Sequence, residues 1–175
     1  MKFQRDIQFT SQRLHFEIVS DQYVQDIFRE LTPEVAKFLP FVPTGKIEDT
    51  YGFVSYSLNQ LKKGEDITFV VLDRETNSFV GCCGIHEITS ESASLGIWLK
   101  VSASGKGLGT ELIQALEDYA NESLSIDCLI YNVDKNNKGS IKIAEKLGFV
   151  YYKSFLRKVS EEKVLDMLQY VKSTN

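Results

Sequence analysis

Residues 94–110 read SLGIWLKVSASGKGLGT. A run of strand formers ends near Val101, and Gly105, Gly107 and Gly109 then alternate. Leu112, Ile113, Leu116, Tyr119 and Ala120 follow at helical spacing. The order is therefore strand, glycine loop, helix. Glycines let the backbone curl so that successive N–H groups converge on one point, and the positive end of the helix dipole adds to the same field. Such a loop is an anion site shaped for a pyrophosphate, with Lys106 placed to add charge at its rim.

Two well-known glycine loops do not fit. A P-loop places Ser or Thr after its lysine, and here Gly107 follows Lys106. A dinucleotide fingerprint starting at Gly105 would need glycine where Thr110 stands, and it normally opens its domain rather than following about a hundred residues.

Working outward, residues 12–19 alternate Leu14, Phe16 and Ile18 as a strand does. Asp21 reads as an N-cap for a helix over 22–31. All three prolines fall in 33–46, an irregular loop. Ile47, Tyr51, Val54, Leu58 and Leu61 make the apolar stripe of a second helix, with Gly64 as its stop. Residues 67–72, 79–88 and 94–101 read as an antiparallel meander, with turns at 73–78 and near 89–93. Beyond the glycine loop come a strand at 126–131, a helix at about 138–147 stopped by Gly148, and closing strands at 149–158 and 164–171, although Val164, Leu165, Leu168 and Val171 would also suit a helix over 161–171. Strand–helix–strand–helix after a meander predicts a mixed α/β sheet, and no linker divides 1–175, so one domain is expected.

Composition narrows the function. Hydrophobic residues at 43% and charged residues at 25% are ordinary for a globular chain. The net charge of −4 argues against a phosphate-backbone binder, so no nucleic-acid partner is expected. Cys82, Cys83 and Cys128 lack metal-ligand spacing and read as small buried hydrophobes in a reducing compartment. The start, MKFQRDIQFT, has no apolar leader, and no stretch is long enough to span a membrane. The expectation is a cytoplasmic protein without metal.

Taken together, these segments resemble the GNAT superfamily of N-acetyltransferases, and within it the ribosomal-protein N-terminal acetyltransferases. The resemblance is carried by Ser11-Gln12-Arg13-Leu14, Phe38-Leu39-Pro40-Phe41, the run Val80–His86, the run Leu95–Leu99, Asn137 with Ser140, and Lys146–Phe149. It implies an α/β (α+β) fold with a mixed, mostly antiparallel sheet of about seven strands, flanked by helices. That sheet would splay between its fourth and fifth strands, here 94–101 and 126–131. It implies acetyl-CoA as cosubstrate, with the pantetheine arm pairing along Leu99, Lys100 and Val101. The pyrophosphate would lie on Ser104, Gly105, Lys106, Gly107, Leu108, Gly109 and Thr110. Asn137 and Ser140 would face the cofactor from the other side; as residues they read equally as a helix N-cap and a first-turn hydroxyl. The chain departs from the family at three positions: Ser104 replaces Gln or Arg, Ser94 replaces Glu, and Ala144 replaces Tyr.

Acetyl transfer to an amine needs a neutral nucleophile. A lysine amine titrates near ~10.4 and an α-amine near ~7.7–8.0, so a weak base suffices only for the latter. Glu87 and His86 are the base candidates, and strand alternation predicts that only one of them faces the cleft. Glu87 reads equally as a solvent-facing strand residue, and His86 as a half-buried structural one. A backbone N–H near Leu99 would serve the oxyanion, and Ser140 would relay a proton to the leaving thiolate. Phe38 and Phe41, with Tyr51, would wall the acceptor site, and Asn132 ends the strand beside it. The acceptor is an amine, on a protein N-terminus or on a small molecule such as a polyamine, amino sugar or antibiotic. A module that binds acetyl-CoA without turnover is the third reading. Monomer and homodimer are both open.

Overall fold

Leu14, Phe16 and Ile18 point to one side of a strand, β2 (Leu14–Ile18), in the computed structural model, which describes residues 6–174. Residues 1–5, on which part of the leader reading falls, lie outside the described residues. A short strand, β1 (Gln8–Thr10), precedes β2 and pairs with it antiparallel. Nothing in its three residues shows alternation long enough to be read, so the sheet has one strand more than expected.

After β2, a 3-10 turn at Asp21–Tyr23 leads into helix α1 (Val24–Glu30). Asp21 is not the cap. Ser20 holds that position in extended backbone, and Asp21 is already inside the turn. The proline segment contains one further 3-10 turn, Val35–Phe38. Helix α2 (Ile47–Lys63) ends at Gly64, whose φ of 78° is the left-handed conformation that glycine accepts without a Cβ clash. Its inward face is Thr50, Val54, Ser57 and Leu61, while Tyr51 is 45% exposed. Val54 and Leu61 are buried and Ile47 and Leu58 pack beside them as the pattern expects, and only Tyr51 turns outward, with the small Thr50 buried next to it.

The meander follows as β3 (Ile67–Asp73), β4 (Phe79–His86) and β5 (Ser92–Leu99). Helix α3 (Leu108–Ser123), β6 (Cys128–Asp134), α4 (Lys138–Lys146), β7 (Val150–Lys158) and β8 (Val164–Ser173) complete the chain. All eight strands join one sheet in the order β1-β2-β3-β4-β5-β6-β8-β7. Every pairing is antiparallel except β5 with β6.

β3 shows why the sheet is a central layer. Phe69 and Val71 join the cluster that includes Leu112, Ile113 and Leu116 of α3. Val70 and Leu72, on the opposite face, pack with Val24 and Ile27 of α1 and Val54 of α2. Cys82 and Cys83 are buried and burial pushes both thiols up, so they behave as apolar core groups; Cys128 is only half-buried.

Candidate active site

The one parallel pairing is short. Ser92 faces Cys128 and the register runs to Leu95 opposite Tyr131, where pairing stops although β5 continues to Leu99 and β6 to Asp134. Beyond that fork the two strands part, and the edge of β5 from Gly96 to Leu99 is unpaired on its β6 side. A cleft of about 1390 Å³ lies there, with Leu95–Trp98 and Tyr131–Asp134 among its walls. The strand is shorter than the sequence suggests. Lys100 donates its amide to the Val80 carbonyl at 2.9 Å, and Val101 enters a 3-10 turn with its carbonyl taken by Ser104 N–H at 3.1 Å. The Lys100 N–H thus faces β4 rather than the open edge, and beyond Leu99 the chain leaves the strand for the turn.

The glycine loop continues from that edge, just outside the cleft. Gly105 and Gly107 have φ of 74° and 76°, so each turns the backbone as only glycine does cheaply. Ser104 N–H bonds Val101 and Glu111 N–H bonds Gly107 at 3.3 Å; between them, amides 105–110 find no acceptor among the described residues. Six adjacent donors at a helix N-terminus fit a pyrophosphate. Gly109 has another duty: a Cβ there would sit 2.9 Å from Ile143 Cδ1, so its absence lets α4 lie against α3.

A clamp from the far edge of the sheet holds this loop. Glu111, in the first turn of α3, accepts from Ser11 Oγ at 2.6 Å, from Arg13 N–H at 2.7 Å and from Arg13 Nε at 2.6 Å. The same guanidinium donates from Nη1 to the Lys106 carbonyl at 3.0 Å. Burial alone would raise the Glu111 carboxyl, but its three hydrogen bonds and the Arg13 charge outweigh that and hold it below the usual range. The Ser-x-Arg-Leu segment is thereby tied to the loop some ninety residues on, a link invisible to local spacing.

On the cleft's other wall, Asn137 Oδ1 accepts from Ser140 N–H at 3.1 Å, the N-cap of α4. Both residues also line the cleft, so cap and cleft positions coincide. Behind Ser140 stands Tyr131, 3% exposed, whose phenol is pushed up to about 12 by burial, opposed by a hydrogen bond with Ser140. Asn132 sits within β6, since that strand runs on to Asp134, and its Oδ1 accepts from Gln169 across the β6–β8 pair at 3.0 Å. Asn132 is among the residues lining the cleft. Phe38 and Phe41 line the cleft and Tyr51 does not.

The sharpest departure from strand logic is at the end of β4. His86 is the last strand residue, and Glu87 takes a φ of 53°, rare for a residue with a side chain. That left-handed step cancels the alternation, so both His86 and Glu87 line the cleft, contrary to expectation. The step is secured by Asp66, whose Oδ1 accepts from Glu87 N–H at 2.9 Å. Asp66 Oδ2 lies 3.5 Å from His86 Nδ1. Burial would raise the Asp66 carboxyl, yet the bonds from His86 and from Glu87 N–H bring it below its ordinary value. The imidazole lies over two glycines: a Cβ on Gly84 would be 2.4 Å from His86 Nε2, and one on its cross-strand partner Gly96 would be 3.4 Å away. The Glu87 carboxylate, finally, accepts from Ser94 Oγ at 3.2 Å. Ser94 is thus joined to a carboxylate supplied from just past the end of β4.

An eight-stranded mixed sheet forking at its one parallel pair, with a donor-rich glycine loop at the fork, defines an acyl-CoA-type transferase. Residues 13–150 match the family described as "Acetyltransferase (GNAT) domain", and the chain belongs to that family. It is 29% identical over 119 residues to "Uncharacterized N-acetyltransferase p20" of Bacillus licheniformis, covering 67% of each chain. Two other relatives are matched over about half of their length, 51% and 56%. Among solved structures, an acetyl transferase from Salmonella typhimurium that modifies the N-terminal serine of ribosomal protein L7/L12 superposes with TM-score 0.82. It is 16% identical, with 94% of this chain and 97% of that one covered. Spermidine N-acetyltransferase from Vibrio cholerae, in complex with CoA and spermine, superposes equally well at TM-score 0.82 and 17% identity, with the same coverage of 94% and 97%. The activity class is acetyl-CoA-dependent N-acetyl transfer. Among the described residues no helix is long and apolar enough to cross a membrane, and no cluster of three His, Cys, Asp or Glu side chains is set to hold a metal.

Proposed function

We propose that this chain acetylates the N-terminal α-amine of a protein, a ribosomal protein being the leading acceptor, by direct attack in a ternary complex. The observation that carries this reading is the Glu87 carboxylate, held by Ser94 Oγ inside the cleft beside the open edge of β5. Acetyl-CoA supplies the activated thioester when bound. Amides 105–110 and the left-handed glycines suit its pyrophosphate, and the unpaired edge Gly96–Leu99 suits an amide-bearing arm. Lys106 adds charge at the loop's rim.

In this reading Glu87 takes a proton from the bound acceptor ammonium, the neutral amine then attacks the thioester carbonyl, and Ser94 and Asp66 fix the position of Glu87. A backbone N–H at the Leu99 end of the open edge donates to the carbonyl oxygen as negative charge develops there. Ser140, on the cleft wall, passes its hydroxyl proton to the departing sulfur and takes one back from solvent entering the cleft. Phe38 and Phe41 give the acceptor an aromatic wall, and Asn132 offers its amide beside them. An α-amine is already neutral in roughly one molecule in ten at pH 7, so a single carboxylate suffices.

A small polyamine is the second reading. It is favoured by the cleft's charge, since the carboxylates of Asp49, Glu65, Asp66, Glu87 and Asp134 outnumber the cations Arg29, Lys46 and Arg157. Thiol release from acetyl-CoA, measured with short peptides, spermidine and amino sugars from pH 6 to 9, decides between them. A kcat/KM for peptides about tenfold or more above that for spermidine is expected. The reverse ranking assigns the cleft to small amines.

A further inference from the structure

The cleft's acceptor wall belongs to the proline segment 33–46, which has little regular structure of its own. Something outside the segment has to hold it. The side chain that does so comes from the far end of the chain. Lys163 Nζ donates to three backbone carbonyls of the segment: Ala36 at 2.8 Å, Leu39 at 2.7 Å and Phe41 at 2.9 Å. An ammonium has three N–H donors, and all three are used on one stretch of six residues. Exposed lysines do not behave this way, because water satisfies them at no entropic cost.

The lysine is itself fixed at its root. It stands at the return of the β7–β8 turn, where its amide donates to Ser160 Oγ at 3.1 Å. Its carbonyl accepts from Val159 N–H at 2.8 Å and Ser160 N–H at 3.1 Å. The side chain is half-buried, and desolvation lowers its pKa against the opposing pull of the Asp134 charge. The anchor therefore spans the fork: the segment leaves the α1–α2 side of the sheet, and the lysine reaches it from the β8 side. The bonded carbonyls bracket Phe38 and end at Phe41, the two aromatics that line the cleft.

We infer that Lys163 is a positioning residue for the acceptor. Its ammonium latches the 33–46 segment across the mouth of the fork and so fixes the wall against which the amine is presented. This deepens the acceptor side of the proposed function and rests on it. Lys163 Nζ bonds only carbonyls of the segment and neither the glycine loop nor β5, so its loss is expected to act on the amine more than on acetyl-CoA binding.

The test uses the full-length protein. Lys163→Met keeps the aliphatic stem and removes every donor. Its KM for the best peptide or amine acceptor is expected to rise about tenfold or more, since charge-assisted bonds are lost, while the acetyl-CoA Kd stays within about twofold. Limited trypsin digestion should nick the chain after Lys37 or Lys46 several times faster in the variant, and this arm needs no knowledge of the substrate. Lys163→Arg is the second variant: a planar fork cannot meet three carbonyls converging on one point, so an intermediate rise in both readings is expected. Acceptor KM unchanged in a folded Lys163→Met or Lys163→Arg protein overturns the latch, whether or not nicking accelerates. Wild-type protein that turns over no amine refutes the proposed function instead, and the nicking rates then judge the latch alone, with equal rates overturning it.

Discussion

Glu87 shows how one backbone angle changes the chemistry of a site. As a regular strand residue it would have pointed away from His86; at φ 53° it turns its carboxylate into the cleft and onto Ser94. Glu87→Gln keeps the shape and loses the base. Its kcat/KM for the amine is expected to fall about a hundredfold or more with acetyl-CoA affinity unchanged, read by steady-state kinetics and calorimetry. Ser94→Ala should cost less, because Asp66 still secures the turn. Activity retained in Glu87→Gln would place the base elsewhere. Asp66 makes a pH prediction. Its carboxyl is lowered in the folded protein, so its bonds stabilise the fold above the unfolded pKa of about 3.9 and are lost as pH falls through the lower folded value. Urea midpoints measured from pH 6 down to 3 should therefore fall less steeply in Asp66→Asn than in wild type. Sequence spacing named Glu87 and His86 as candidates but could not see Asp66, which belongs to another turn and meets them only through the β3–β4 pairing.

At the scale of elements, the local signals were the readable ones. Gly64, Gly148 and the Asn137 cap lie where turn and capping chemistry put them, because those interactions close within a few residues. β1 and the end of β5 were misread for the opposite reason: their limits are set by partners far along the chain, Glu17 and His15 for β1 and Val80 for Lys100. The Arg13–Glu111 clamp is of the same long-range kind. Arg13→Met should leave the glycine loop without its hold on the Lys106 carbonyl, and the acetyl-CoA Kd should rise about tenfold by calorimetry. An unchanged Kd would mean the loop holds its shape unaided. A second cross-element tie joins α3 to β8. Lys172 pairs with the buried Glu117 and donates to the Leu147 carbonyl at 2.7 Å, while Glu117 Oε2 has no partner. Lys172→Met strands that carboxylate. With the lysine itself part-exposed, a loss of about 2–4 kcal/mol in urea unfolding is expected.

Across the whole molecule, the fork is what divides the legible from the illegible. The glycine-rich stretch and its flanking periodicities were enough to place a donor-rich loop between strand and helix, since both signals are local in sequence. The gap beside it depends on where parallel pairing stops, at Leu95 and Tyr131; the family resemblance points to a splay between these strands, but no spacing rule encodes where it begins. The consequence is mechanical. Between Gly96–Leu99 and Asn132–Asp134 the sheet lacks ladder bonds, so a ligand seated there would join its two halves. Acetyl-CoA at a hundred times its Kd should add about 2.7 kcal/mol to stability, which for a chain of this size raises Tm by roughly 5–10 °C. Hydrogen exchange should show where that stabilisation acts. If the ligand lies in the fork, amides of both 94–99 and 128–134 slow together with those of 105–110, and Gly107→Val, strained at a φ of 76°, abolishes all three effects. Protection confined to 105–110, with the two strands exchanging as before, would mean that the loop binds its anion without anything bridging the fork.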